Sequence, residues 1–139
     1  MFVPTVAVIF FCFSRIDTLY LSFNKSASSS TTHSYFLPEK VTDGDDNSNM
    51  FTPCFHSTPG FQQWLEIDLG NEYLITRITI INRVEPGPPL RGCDDCHLRL
   101  NDAAIGIGSG GDIANFTKCG ESVTLAQVEL SPIIDVRCQ

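Results

Sequence analysis

The alternation in residues 63–69 restricts this chain more than any other feature. In Gln63-Trp64-Leu65-Glu66-Ile67-Asp68-Leu69 every second residue from Leu65 is aliphatic, and Gly70-Asn71 follows as a turn. A period of two puts all three aliphatic side chains on one face of a strand, whereas a helix would scatter them. A second run, 74–81, holds Ile75, Thr76, Ile78, Thr79, Ile80 and Ile81. Its β-branched density predicts a strand covered on both faces near the centre of a sheet. Residues 123–130 alternate again and predict another strand, with further strand pattern at Leu98-Arg99-Leu100 and 104–107.

The remainder reads as connection. Residues 24–62 are rich in Ser, Thr, Asn, Asp, Gly and Pro without a helical period, which predicts loops with at most short strands. Glu85-Pro86-Gly87-Pro88-Pro89 is a turn-rich insert, because consecutive prolines cannot belong to a central strand, and 108–112 is a glycine-rich loop. Short strands at this spacing predict an all-β fold, an antiparallel jelly-roll-like sandwich. Little chain follows Leu130, so no closing strand is expected and the sandwich should be incomplete.

A chain of 139 residues has room for one ordinary domain. Nine Lys and Arg against 16 Asp and Glu, a formal charge of -7, argue against a broad surface for nucleic acid or anionic lipid, so any basic site must be local. Residues 1–13, MFVPTVAVIFFCF, are too short an apolar run to span a bilayer comfortably. Although they lack a basic start, they read as the core of a secretory signal, 1–14, which implies a secreted or extracellular protein; the alternative is a misjudged N-terminus or a buried strand. Asn24-Lys25-Ser26 and Asn115-Phe116-Thr117 are glycosylation acceptor triplets that matter only after export. Six cysteines, at 12, 54, 93, 96, 119 and 138, also suit an exported chain; loss of Cys12 with the signal would leave an odd five.

Cys93-Asp94-Asp95-Cys96-His97 has the spacing of a redox or zinc motif. Two aspartates disfavour a thiolate, and zinc needs a ligand from elsewhere, so a short-loop disulfide is the simpler reading. Cys119 and Cys138 bracket 123–130; bridging them would remove about 3 kcal/mol of unfolded-state entropy, though spacing alone does not establish the pair. His56, Arg83, Arg91 and Arg99 fall at loops or strand ends, where side chains from separate segments converge. A guanidinium fork and an imidazole nitrogen suit a sugar's hydroxyl and ring oxygens. No nucleophile, base and orienting group stand together, so the chain is not read as an enzyme. Asp43-Gly44-Asp45-Asp46-Asn47 is dense in oxygen and is either a calcium loop or a solvated acidic turn.

Four blocks in order carry a family resemblance: Val41-Thr42-Asp43-Gly44, Cys54-Phe55-His56, residues 63–70, and Thr79-Ile80-Ile81-Asn82-Arg83. Together they resemble the F-type fucose-binding lectins, or fucolectins, among the galactose-binding-like, discoidin-related sandwiches, and the interval from His56 to Arg83 is that of the lectin motif. The resemblance implies a partial lectin domain over 24–139, cut short at its C-terminus. It implies non-catalytic, calcium-dependent binding of terminal L-fucose-like sugars on fucosylated glycans, with homo-oligomers a further expectation. His56, Arg83 and Arg99 would hold the sugar, Arg91 competing for the last place. Glu85 stands where relatives have aspartate, and Cys93 and Cys96 replace an adjacent cysteine pair that rests against the sugar. Calcium would take the carbonyls of Lys40, Asp45 and Pro53 and the carboxylate of Asp43. The same alignment pairs Cys93 with Cys96 and Cys119 with Cys138 and leaves Cys54 unpaired. The alternatives are a discoidin-like adhesion module for protein or phospholipid, marked by an exposed cluster of Met50, Phe51, Phe55 and Phe61, and a structural fragment.

Overall fold

The computed structural model describes residues 4–7, 20–45, 54–83, 96–109 and 113–139. The alternating run forms a strand where its pattern puts one: Leu65, Ile67 and Leu69 are all buried, while Asp68 turns outward and its carboxylate accepts from the Gly70 N–H at 2.8 Å. Seven strands are present among the described residues: β1 (Pro4–Ala7), β2 (Ser26–Ser29), β3 (Leu65–Asp68), β4 (Arg77–Ile81), β5 (Gly106–Ser109), β6 (Thr117–Lys118) and β7 (Ile133–Arg137). One sheet has the order β2-β3-β1-β5-β6 and the other pairs β4 with β7, all neighbours running antiparallel. Residues 4–7, expected to belong to a secretory signal, lie between β3 and β5, with Val6 opposite both Ile67 and Ile107.

Both sheets send side chains into one core. Leu65 and Ile67 of β3, Ile80 of β4, and Ile134 and Val136 of β7 meet there with Val41, Phe55, Leu100 and Ile105. The strand-rich, helix-poor arrangement fits the all-β expectation. Among the described residues no helix is long and apolar enough to cross a membrane.

The structure corrects the sequence-based expectations at several places. Residues 125–130 form a helix, α1 (Leu125–Leu130), where a strand was expected. The cause is a reciprocal cap: the Gln127 N–H donates to Thr124 Oγ1 at 3.3 Å, and the Thr124 N–H donates to Gln127 Oε1 at 2.9 Å. Residues 98–100 belong to a 3-10 helix, Cys96–Leu100, one of three such helices with Pro38–Val41 and Ile113–Asn115. The run at 74–81 becomes a strand only from Arg77. It is not covered on both faces, because Leu74 and Arg77 are exposed and the Thr79 hydroxyl donates to Asp135 of β7. That β7 exists is itself a departure, since the short tail was not expected to supply a closing strand.

Cys119 follows β6 of the larger sheet, Cys138 follows β7 of the smaller one, and the two are bridged, so one covalent link joins the sheets. Gly120 makes the approach feasible. Its φ is +65°, and a Cβ there would stand 2.6 Å from the Arg137 carbonyl oxygen. Cys54, expected to be unpaired, is disulfide-bonded. It is 9% exposed in a small apolar cluster with Ile81, and with Cys119 and Cys138 joined to each other its partner must come from Cys12, Cys93 and Cys96. Opening Cys119–Cys138, which closes a sequence separation of 19, by a double substitution to Ser should lower stability by about 3 kcal/mol, read from the urea midpoint. Peptide mapping without reductant should recover that bridge and a second cross-link containing Cys54.

Candidate functional site

Two loops that sequence reading left structureless lace together to build the site. The Ser30 N–H donates to the Trp64 carbonyl at 3.0 Å, and the Trp64 N–H returns a 3.0 Å bond to Ser30 Oγ. Farther along, the His33 N–H donates to the His56 carbonyl at 2.7 Å, the His56 N–H to the Phe36 carbonyl at 3.2 Å, and the Thr58 N–H to Thr31 Oγ1 at 3.1 Å. Phe55 and Ser57 on either side of His56 are buried, whereas His56 is only half-buried. The extended backbone therefore anchors its neighbours inward and presents the imidazole at the surface.

The two ring nitrogens of His56 have different partners. Nδ1 lies 2.7 Å from the Ser57 carbonyl oxygen, and Nε2 lies 3.0 Å from Nη1 of Arg99. A carbonyl only accepts and a guanidinium only donates, so Nδ1 carries the proton and Nε2 accepts from Arg99. Burial lowers the His56 pKa below the ordinary 6.5, and the nearby Arg99, His33 and Arg83 lower it further, opposed by the hydrogen bond to Ser57. The ring is therefore held neutral at neutral pH.

Both arginines are placed by one buried amide. Asn82, immediately after β4, donates through Nδ2 to the His97 carbonyl at 2.7 Å, and its Oδ1 accepts from the Arg83 N–H at 2.9 Å. The first contact fixes the 3-10 helix carrying Arg99, and the second fixes the start of the segment carrying Arg83. Within that helix Leu100 is fully buried and Leu98 packs on the core, leaving Arg99 between them exposed toward His56. The Nε of Arg83 is buried, with its charge close enough to bear on His56.

Aromatic rings also gather about His56. The His33 ring is centred 5.3 Å and the Phe36 ring 5.9 Å from His56, and Tyr35 stacks on Phe36 at 4.5 Å. The structure thus brings together His56, Arg83 and Arg99. Glu85, Arg91, Cys93, Pro53 and the side chain of Cys96 lie outside the described residues. Sequence reading gave no role to His33, Tyr35, Phe36 or Asn82. The first three reach His56 only through long-range backbone bonds, which leave no local pattern, whereas Asn82 was visible as the neighbour of Arg83. Of the four residues whose exposure would favour an adhesion surface, Phe55 is 2% exposed in the core and Phe61 is 99% exposed, while Met50 and Phe51 lie outside the described residues.

In the acidic loop Asp43 Oδ1 accepts from the Asp45 N–H at 2.9 Å, and Oδ2 faces Lys40 Nζ at 3.4 Å. Among the described residues no group of three or more His, Cys, Asp or Glu could hold a metal ion. With two carboxylates, that of Asp43 already met by an ammonium, Lys40, Asp43 and Asp45 do not by themselves supply the six to eight oxygens that calcium takes.

The lowered His56 pKa fixes the sign of a pH effect. The unfolded chain binds this proton at about 6.5 and the folded chain only at lower pH, so the stability contributed by neutral His56 is complete above 6.5 and is lost as pH falls through the folded value. Protonated Nε2 would also confront the Arg99 donor. Thermal unfolding midpoints should therefore fall on acidification below 6.5 in the wild type, and the slope should flatten in His56→Ala.

A family model described as "NedA-like, galactose-binding domain" matches residues 40–138, a span that runs from the acidic loop through His56, Arg83 and Arg99 to Cys138. No curated protein and no solved structure matches the chain. The match covers most of the sequence and the two sheets agree with it, so the chain belongs to the family of NedA-like, galactose-binding domains.

Proposed function

We propose that the protein is a non-catalytic carbohydrate-binding domain that takes a terminal fucose-like sugar between His56, Arg83 and Arg99. The observation that carries this reading is the 3.0 Å contact of Arg99 with a neutral His56, beside Arg83 and the aromatic rings. A neutral sugar offers hydroxyl and ring oxygens for guanidinium donors, and apolar C–H and methyl groups for aromatic faces. Arg99 spends one of its five N–H groups on His56, and the others remain for hydroxyls. The site is suited to holding rather than reacting, since each ring nitrogen of His56 is turned to a fixed protein partner and neither addresses a nucleophile. Family membership supports sugar recognition as a class; fucose is the finer part of the proposal, as is an extracellular setting, where fucosylated glycans are presented.

Calcium is a separate clause. To enter, the ion must displace the Lys40 ammonium from Asp43 and draw in oxygens beyond Lys40 and Asp45. Sugar binding that is unchanged in chelator removes this clause and leaves the pocket untouched.

Titrations with L-fucose and D-galactose test the reading. Arg99→Ala and Arg83→Lys, the latter keeping charge but losing the planar fork, should each weaken fucose binding by about five- to 150-fold, equivalent to about 1–3 kcal/mol. Arg91→Ala should leave it nearly unchanged. Equal fucose binding by wild type, Arg83→Lys and Arg99→Ala overturns the site, and binding of galactose without fucose overturns the fucose preference.

A further inference from the structure

We propose that Asn24 and Asn115 are sites of N-linked glycosylation, one beside each edge strand of the larger sheet as described. The inference is independent of sugar binding by the pocket. The sequence holds two acceptor triplets, and the fold places them in equivalent positions: Ser26 of the first opens β2, and Thr117 of the second opens β6. In the order β2-β3-β1-β5-β6 these are the two edge strands.

The triplets also present themselves alike. Asn24 and Ser26 are exposed about a half-buried Lys25, and Asn115 and Thr117 are exposed about a half-buried Phe116. Different local causes produce the same pattern. Asn24 ends a turn with φ +54°, its N–H donating to the Thr42 carbonyl at 2.8 Å, while Thr42 Oγ1 donates to the Lys25 carbonyl at 2.9 Å. Thus the backbone of the triplet is held and its outer side chains are not turned inward. At the other edge Phe116 lies over the bare backbone of Gly106 and Gly108 in β5. A Cβ on Gly106 would fall 1.7 Å from the Phe116 ring, so glycine there lets the ring lie inward while Asn115 and Thr117 face out. An acceptor triplet needs both its carboxamide and the hydroxyl two residues later to be accessible, and its middle residue is free to pack.

A cavity of about 430 Å³ adjoins Asn115 and Thr117, with Tyr73 and Ile107 also on its wall. Its size is within the range of small-molecule pockets, and an aromatic face beside the asparagine suits the first sugar of an attached chain. A bulky hydrophilic group beside each edge strand would also hinder the addition of another chain to β2 or β6. In the modification the asparagine carboxamide nitrogen attacks the anomeric carbon of an oligosaccharide carried on a lipid pyrophosphate. The new N–C bond forms as the C–O bond to pyrophosphate breaks; the lipid pyrophosphate leaves with the bonding pair and the carboxamide gives up one proton.

Expression of the full chain behind an established secretory leader in a eukaryotic cell tests the assignment, with intact mass measured before and after an amidase that releases N-glycans. Two amidase-sensitive additions are expected. Ser26→Ala should remove one and Thr117→Ala the other, and both substitutions leave the asparagine backbones unaltered. A secreted chain whose mass the amidase does not change, or one that keeps its glycans in the double variant, overturns the proposal. Light scattering should show more self-association for the double variant than for the glycosylated chain; equal behaviour overturns the edge-blocking role.

Discussion

The hydrogen-bonding capacity of one buried amide underlies both the architecture and the site. Asn82 is 3% exposed, and its main chain and side chain reach three parts of the molecule: its N–H to Pro132 before β7, its Nδ2 to His97, its Oδ1 to the Arg83 N–H. An aliphatic residue of the same volume would leave the half-buried His97 carbonyl and Arg83 N–H without these bonds, a loss of about 1 kcal/mol for each. It would also release the helix carrying Arg99 from the strand that leads to Arg83. The relative placement of the two guanidiniums is thus set beneath the surface.

The same bracing sets two guanidiniums beside one imidazole. Arg83 and Arg99 both bear on His56. Burial of Phe55 and Leu100, the lacing of the two loops, and the Asn82 bonds hold the segments that carry these three side chains. His56 stays neutral beside them, because a further positive charge there would oppose both arginines.

The sequence was legible where a residue's neighbours in the chain decide its state. Leu65, Ile67 and Leu69 alternate and are buried together, and Gly70 turns where a glycine can. Residues 123–130 show the limit of that logic: alternation suggested a strand, while the cap formed by Thr124 and Gln127 selected a helix. Motif spacing linked His56 with Arg83, and the family resemblance put Arg99 ahead of Arg91, but neither pointed to the His33, Tyr35 and Phe36 rings. Their position depends on bonds such as His33 to His56, between segments with no common sequence period. The tail strand β7 was overlooked for a related reason, since its partner β4 lies far back in the chain and only the pairing of Ile80 with Ile134 makes the match plain.

The place of β1 gives the fold an unusual order of assembly. Residues 4–7 are synthesised well before either neighbour, since β3 begins at Leu65 and β5 at Gly106. Backbone groups of the earliest strand must therefore stay solvated through most of synthesis, and the middle of the larger sheet is closed late by contacts of long sequence separation. Such closure is slow because chain entropy is spent before the pairing returns it. During that interval the inner edges of β3 and β5 are open to other chains, so crowding during synthesis, more than heat applied to the finished protein, is the condition this topology handles least well.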